Sequence, residues 1–147
     1  MRLPAFRFAR PAAVLALCAA ALAGCASVSL DEPIEAQTWR LVSIYGSPVA
    51  PGSDASADAQ VSFNNGQVSG SGGCNRVSGS YQRTGTTLKI GQLASTRRAC
   101  IDQGRTQIET NFFAALQGAT RYSRSGNDLL LIDGNGQTLA RLTSAPR

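Results

Sequence analysis

Residues 67–100 read QVSGSGGCNRVSGSYQRTGTTLKIGQLASTRRAC, and the pattern of this stretch organises the rest of the chain. Four groups punctuate it: Gly72-Gly73-Cys74-Asn75, Gly79-Ser80-Tyr81, Leu88-Lys89-Ile90 and Ser95-Thr96-Arg97-Arg98-Ala99-Cys100. Small residues surround a cysteine at one end, and a second cysteine closes the other. Between them, Val77 to Arg83 places Tyr81 on a strand and Thr84-Gly85-Thr86 turns the chain. Thr87-Leu88-Lys89-Ile90 is the next strand, with Leu93 continuing its apolar face. The glycines from Gly70 to Gly73 permit unusual φ/ψ or close backbone approach. No Gly-Lys-Ser/Thr follows and no helix opens here, so the run reads as a structural bend, not a phosphate cradle.

Upstream, Thr38 to Ile44 is rich in strand formers, with Trp39 and Leu41 on one face, and Gly46-Ser47-Pro48 breaks it. Residues 49–58 read as a loop. Ala59 to Phe63 alternates apolar and polar, as a half-buried strand does. Asn64-Asn65-Gly66 is a hairpin signal, because Asn-Gly tolerates positive φ at both turn centres, and Gln67 to Gly70 returns as the partner.

Downstream, Ile101 to Gln117 predicts a helix, with Ile108, Phe112, Ala115 and Leu116 on one core-facing stripe and Phe113 off its centre. Asp102 would cap an early start, Thr106-x-x-Glu109 offers a capping box for a later one, and Gly118 is placed to end it. The end of the chain is a meander. Its strands are 121–124, 129–132 and 138–142, with turns at Ser125–Asp128 and Asp133–Gly136. Asp133-x-Asn135 looks like the start of a calcium loop but lacks the later glutamate, so it reads as a hairpin turn. The expected architecture is a small α+β domain of about seven or eight short strands. Its sheet is mainly antiparallel, strongly curved or barrel-like, and covered by one helix.

The N-terminus carries a different signal. Arg2, Arg7 and Arg10 form a positive region, and Ala12 to Ala23 is apolar. At 12 residues it is too short to cross ~30 Å of hydrocarbon and fits a secretory signal. It ends Leu22-Ala23-Gly24-Cys25, which resembles a bacterial lipobox, so Cys25 is expected to carry lipid and become the first mature residue. An ordinary signal cleaved near Ala19-Ala20-Ala21 is the alternative. Ala26 rather than Asp after the cysteine implies the outer membrane in a Gram-negative host, facing the periplasm. The expected organisation is a signal peptide over 1–24, a lipidated N-terminus and tether over 25–36, and a folded domain over 37–147.

Of the four cysteines, Cys18 leaves with the signal and Cys25 takes the lipid. Cys74 and Cys100 remain, an even pair in an oxidising compartment. One disulfide is the simplest assignment, contributing roughly 3.5 kcal/mol in the chain-entropy model. Two reduced cysteines packed as small hydrophobes are the alternative. Without histidine they make a poor metal site, so no metal and no cofactor are expected.

The signature as a whole resembles the META domain, the family that includes the heat-inducible lipoprotein HslJ. It is carried by Gly73-Cys74-Asn75, Gly79-Ser80-Tyr81, Leu88-Lys89-Ile90 and Ser95 to Cys100, and extends more weakly from Trp39 to Leu142. The resemblance implies a role in envelope upkeep, since HslJ-like members are associated with heat induction and antibiotic tolerance. It implies no defined reaction.

Composition narrows function further. Three of the 14 basic residues, Arg2, Arg7 and Arg10, lie in the signal; without them 11 basic residues face 9 acidic ones, a net of +2. No Lys/Arg run remains for nucleic acid. Histidine is absent, which removes the commonest general base and any Cys–His or Ser–His–Asp nucleophile. Asp54, Asp58, Asp102, Glu109, Asp128 and Asp133 are scattered over loops, turns and helix starts. A carboxylate pair for glycoside cleavage stays open, because separation in space is invisible in the sequence. The anchor, the tether and the META resemblance together make a non-enzymatic protein that binds another envelope component the expectation. Asn75, Arg76, Thr96, Arg97 and Arg98, which bracket the two cysteines, are its candidate binding rim. The bland reading is that Asn75 and Thr96 satisfy backbone groups in loops. A carrier for a small apolar ligand is the second reading, and it fails if Trp39, Phe63, Leu88, Ile90, Phe112, Leu131 and Leu139 fill the sheet's interior.

Overall fold

The structure, a computed structural model, describes residues 32–52 and 57–144. Ten strands and one helix follow in order: β1 Thr38–Ile44, β2 Ser47–Pro48, β3 Ala59–Asn64, β4 Gln67–Gly72, β5 Arg76–Thr84, β6 Thr87–Ile90, β7 Ala94–Ser95, α1 Gln103–Gly118, β8 Arg121–Ser125, β9 Asp128–Ile132 and β10 Thr138–Ser144. Every pairing is antiparallel. Around the ring the order is β10-β9-β8-β6-β5-β4-β3-β1, and β10 closes onto β1 with Trp39 opposite Ser144 and Ile44 opposite Ala140. The result is an eight-stranded barrel with β2 added to β1 and β7 added to β5.

Alternation builds the core. Ala59, Val61 and Phe63 of β3 are buried, as are Val77 and Tyr81 of β5, Leu88 and Ile90 of β6, Leu129 and Leu131 of β9, and Ala140 and Leu142 of β10. Side chains two apart on a strand share a face, so a barrel with one apolar face fills its own interior. In the β3–β4 hairpin, Asn65 and Gly66 take φ of 48° and 77°, the positive pair the Asn-Gly signal calls for.

Helix α1 touches β1, β3, β4, β6, β9 and β10. These strands lie all round the ring, so α1 crosses one opening of the barrel. Phe112, Ala115 and Leu116 point inward and are fully buried; Ile108 and Phe113 are half-buried. Asp102 is the N-cap, its Oδ1 accepting from Gly104 N at 2.8 Å. The later capping box is not used. Gly118 is the last helical residue and not a left-handed cap; Ala119 leaves in an extended conformation.

The opposite opening is closed by residues 32–36. Ile34 is fully buried, and its carbonyl accepts from Trp39 Nε1 at 2.8 Å. This corrects the expected boundary at residue 37, because the stretch read as tether packs against the barrel from residue 32 onward. A plug of one isoleucine carries no periodicity for sequence reading to detect.

Candidate functional site

At the α1 opening the two halves of the signature meet. Cys74 and Cys100 are joined by a disulfide, with Cα atoms 5.9 Å apart. The bond ties the bend after β4 to the segment that enters α1. Behind it lies Glu109, a carboxylate only 7% exposed. Its Oε2 accepts from Asn75 N at 2.6 Å and Cys74 N at 3.2 Å, while Oε1 accepts from Asn75 Nδ2 at 2.7 Å. Three N–H groups thus meet one buried charge, as burial of a carboxylate requires. Gly72 makes the room: a Cβ there would lie 2.3 Å from Glu109 Cγ and 2.6 Å from its Oε2.

Asn75 extends the clamp. Its Oδ1 accepts from Thr96 Oγ1 at 2.9 Å and Arg98 N at 2.7 Å, and Thr96 Oγ1 in turn accepts from Arg76 N at 3.1 Å. Asn75 is 7% exposed and lies beneath the expected rim, not on it. Its amide and the Thr96 hydroxyl satisfy backbone groups beside the disulfide, as the bland reading of these two had it. Arg76, Arg97 and Arg98 are exposed. Among the described residues none of these three pairs with a carboxylate, whereas Arg40, Arg83, Arg105, Arg124 and Arg141 all do. Arg76 and Arg98 border an open groove of about 930 Å³ on the outer face of β3, β4, β5 and β7, floored by Ser69, Ser71, Ser78 and Ser95.

The other opening holds a second polar cluster, built from paired charges. Glu35 Oε1 accepts from Tyr81 Oη at 3.0 Å and from Arg83 Nε at 3.1 Å. Arg83 Nη1 also donates to Tyr122 Oη at 2.9 Å. Arg124 stands over the Trp39 ring at 5.2 Å, pairs with Glu32 at 3.3 Å and donates to the Pro33 carbonyl. Burial pushes the Glu35 carboxyl up. Hydrogen bonds from its own backbone and from Tyr81, with the Arg83 charge, outweigh that and hold it below the usual carboxylate range.

The remaining carboxylates have structural partners. Asp58 accepts from Gly52 N and pairs with Arg40. Asp128 pairs with Arg141. Asp133 Oδ1 accepts from Asn135 N and Gln137 N, which makes the calcium-like stretch a turn that caps itself. Of the seven side chains on which the carrier reading depends, six are buried and Leu139 is half-buried, so protein atoms occupy the interior. Cys25 and Asp54 lie outside the described residues. Glu109 as a clamp was missed by sequence reasoning. Its signal was available: it falls three residues before Phe112 and seven before Leu116, a carboxylate on a buried stripe.

Comparison with known proteins places this geometry. The family model described as the META domain matches residues 32–146. A solution structure of a protein from Burkholderia xenovorans is 26% identical with a TM-score of 0.62, covering 78% of this chain and 85% of that one. A second solution structure is 26% identical with a TM-score of 0.58, covering 74% and 89%. A DUF4847 family protein from Bacteroides vulgatus shares the fold, with a TM-score of 0.59 at 20% identity over 80% and 98% of the two chains. No functionally curated protein matches.

Proposed function

The chain belongs to the META domain family, and from that premise we propose that it is a non-enzymatic binding module of the bacterial envelope. It is lipid-anchored at Cys25, lies on the periplasmic side of the outer membrane, and protects the envelope under stress by binding another of its components. The carrying observation is the division of labour between the two openings. The chain enters the barrel at the opening that residues 32–36 plug, and Arg76, Arg97 and Arg98, which have no carboxylate partner among the described residues, stand at the other. Glu32 lies seven positions after Cys25, a reach of at most about 25 Å. An anchor at Cys25 would therefore hold the plugged opening toward the bilayer and turn Arg76, Arg97 and Arg98 away from it. The structural engagement of Asp58, Asp102, Glu109, Asp128 and Asp133 supports binding over catalysis.

Mass spectrometry of protein purified from membranes tests the anchor. Acylation is expected at Cys25, with a two-proton deficit from the Cys74–Cys100 bond; an unlipidated mass would overturn the localisation. Replacing Arg97 and Arg98 with serine is expected to lower tolerance to envelope stress without unfolding the domain. Unchanged tolerance would remove the rim from the proposal.

A further inference from the structure

The groove beside the disulfide is chemically uniform. Strand register sets Gln60, Ser71 and Arg76 side by side in one cross-strand row, and Ser62, Ser69 and Ser78 in the next. All six project from the outer face, because the alternating residues Val61, Val68 and Val77 are buried. Neighbouring strands lie about 4.8 Å apart and same-face residues about 6.7 Å along a strand, so the rows form a lattice of short polar groups. Arg76 stands at one border, and Thr96 and Arg98 reach in from the segment the disulfide holds in place.

Three features of this surface select a ligand class. Hydroxyl and amide groups donate and accept in the same place, which suits a partner that presents many hydroxyls. Arg76 and Arg98 add positive charge that no carboxylate of the described residues neutralises, which suits a partner that also carries phosphate or carboxylate. Among the lining residues there is no aromatic ring, so the groove offers neither a stacking platform for nucleobases nor the aromatic anchor of a protein interface. Glu109 and Asn75 fix the Cys74, Asn75 and Arg98 backbones beside the groove through bonds of 2.6 to 3.2 Å, so the rim is ordered before a ligand arrives.

We infer that this outer face of β3, β4, β5 and β7 is a binding site for an anionic glycan, gripped by Arg76 and Arg98 over a hydroxyl floor. The inference rests on the envelope-module reading and names the component such a module would bind. The occupant is a carboxylate-bearing peptidoglycan strand, because the proposed anchor turns Arg76 and Arg98 away from the bilayer; a phosphate-bearing glycolipid is the contrary outcome of the test.

The test titrates the full-length protein, purified from membranes in a non-ionic detergent, against three probes: soluble peptidoglycan fragments, diphosphorylated lipid A in mixed micelles, and neutral dextran. Saturable binding to the peptidoglycan fragments and none to dextran is expected; saturation by lipid A instead would overturn the assignment. The double variant Arg76→Ser, Arg98→Ser should weaken that binding roughly tenfold or more, and raising the salt concentration should weaken the wild type in the same direction. Ser69→Val fills the floor with a good strand former and keeps both charges; it should weaken binding with unchanged circular dichroism. Indifference to both anionic probes, equal binding of dextran, or full binding by the arginine variant would overturn the site. The mass of the same preparation separates the two readings. An acylated protein that ignores both glycans loses this site and keeps the envelope module. An unacylated protein that still binds saturably keeps the site and loses the anchor.

Discussion

The two openings of the barrel solve the same problem with different chemistry. At the α1 opening a disulfide, a buried carboxylate and an asparagine fix three segments to one another, and Arg76, Arg97 and Arg98 have no carboxylate partner among the described residues. At the other opening the chain uses its charges on itself: Arg83 with Glu35, Arg124 with Glu32, and Ile34 beneath them. Ion pairs at half-exposed positions contribute little, with a median of about 0–1 kcal/mol, whereas a disulfide contributes roughly 3.5 kcal/mol. Charge that is not needed for folding is therefore concentrated at the end whose folding is secured covalently. That is the end where a ligand could use it.

Removing the covalent bond is the strongest way to break the contrast. Cys74→Ser with Cys100→Ser should lower unfolding free energy by roughly 3.5 kcal/mol in denaturant titrations. Hydrogen exchange should quicken over residues 94–102 and not at Trp39 or Tyr122. Equal loss of protection at both openings would mean that the ends are one cooperative unit.

Nearly as large an effect is expected from crowding the clamp. Gly72→Ala drives a methyl group into Glu109, which its three hydrogen bonds prevent from moving aside, at a cost of about 3 kcal/mol. Glu109→Ala leaves two backbone N–H groups and an amide without their acceptor, at a similar cost. Together the two changes should cost clearly less than their sum, because the second removes the atoms the first collides with. Simple additivity in this double-mutant cycle would show that Gly72 is needed for its backbone alone.

Ile34→Ala probes the opposite opening. A fully buried isoleucine is expected to contribute about 2–3 kcal/mol there, read as a lower midpoint of thermal or denaturant unfolding. A surface-like effect under 0.5 kcal/mol would return residues 32–36 to the status of a tether.

These variants also mark what the sequence made legible. The strand from Ala59, the Asn65-Gly66 turn, the α1 stripe and the terminal meander are local patterns, and each is found where periodicity put it. Closure of β10 on β1 joins residues about 100 apart and has no local trace. The burial of Ile34 depends on an opening that exists only once the barrel has closed. Glu109 was ambiguous because a capping box is a local pattern, while its actual partners, Cys74 and Asn75, lie 35 and 34 residues earlier. The rim was half legible. The cysteine pair located it, but nothing local distinguished a buried Asn75 from an exposed Arg76.

The smallest expected effect is also the one that separates the openings by pH. Hydrogen bonds and Arg83 hold the Glu35 carboxyl below its ordinary range despite its burial, so the folded protein binds this proton less readily than the unfolded chain. The stabilisation is therefore present in full above the unfolded-state carboxylate pKa and is lost as pH falls through the depressed folded-state value. Glu35→Gln keeps the shape and removes the charge, so it should flatten the part of the stability–pH curve that lies in the acid range. At pH 7 its cost should be on the order of 1 kcal/mol, since Glu35 and Arg83 are both partly exposed to solvent. Unfolding midpoints of wild type and variant should approach each other between pH 7 and pH 3. A constant gap across that range would mean that Glu35 acts by packing over the opening, and that the plugged end, like the disulfide end, is held by shape more than by charge.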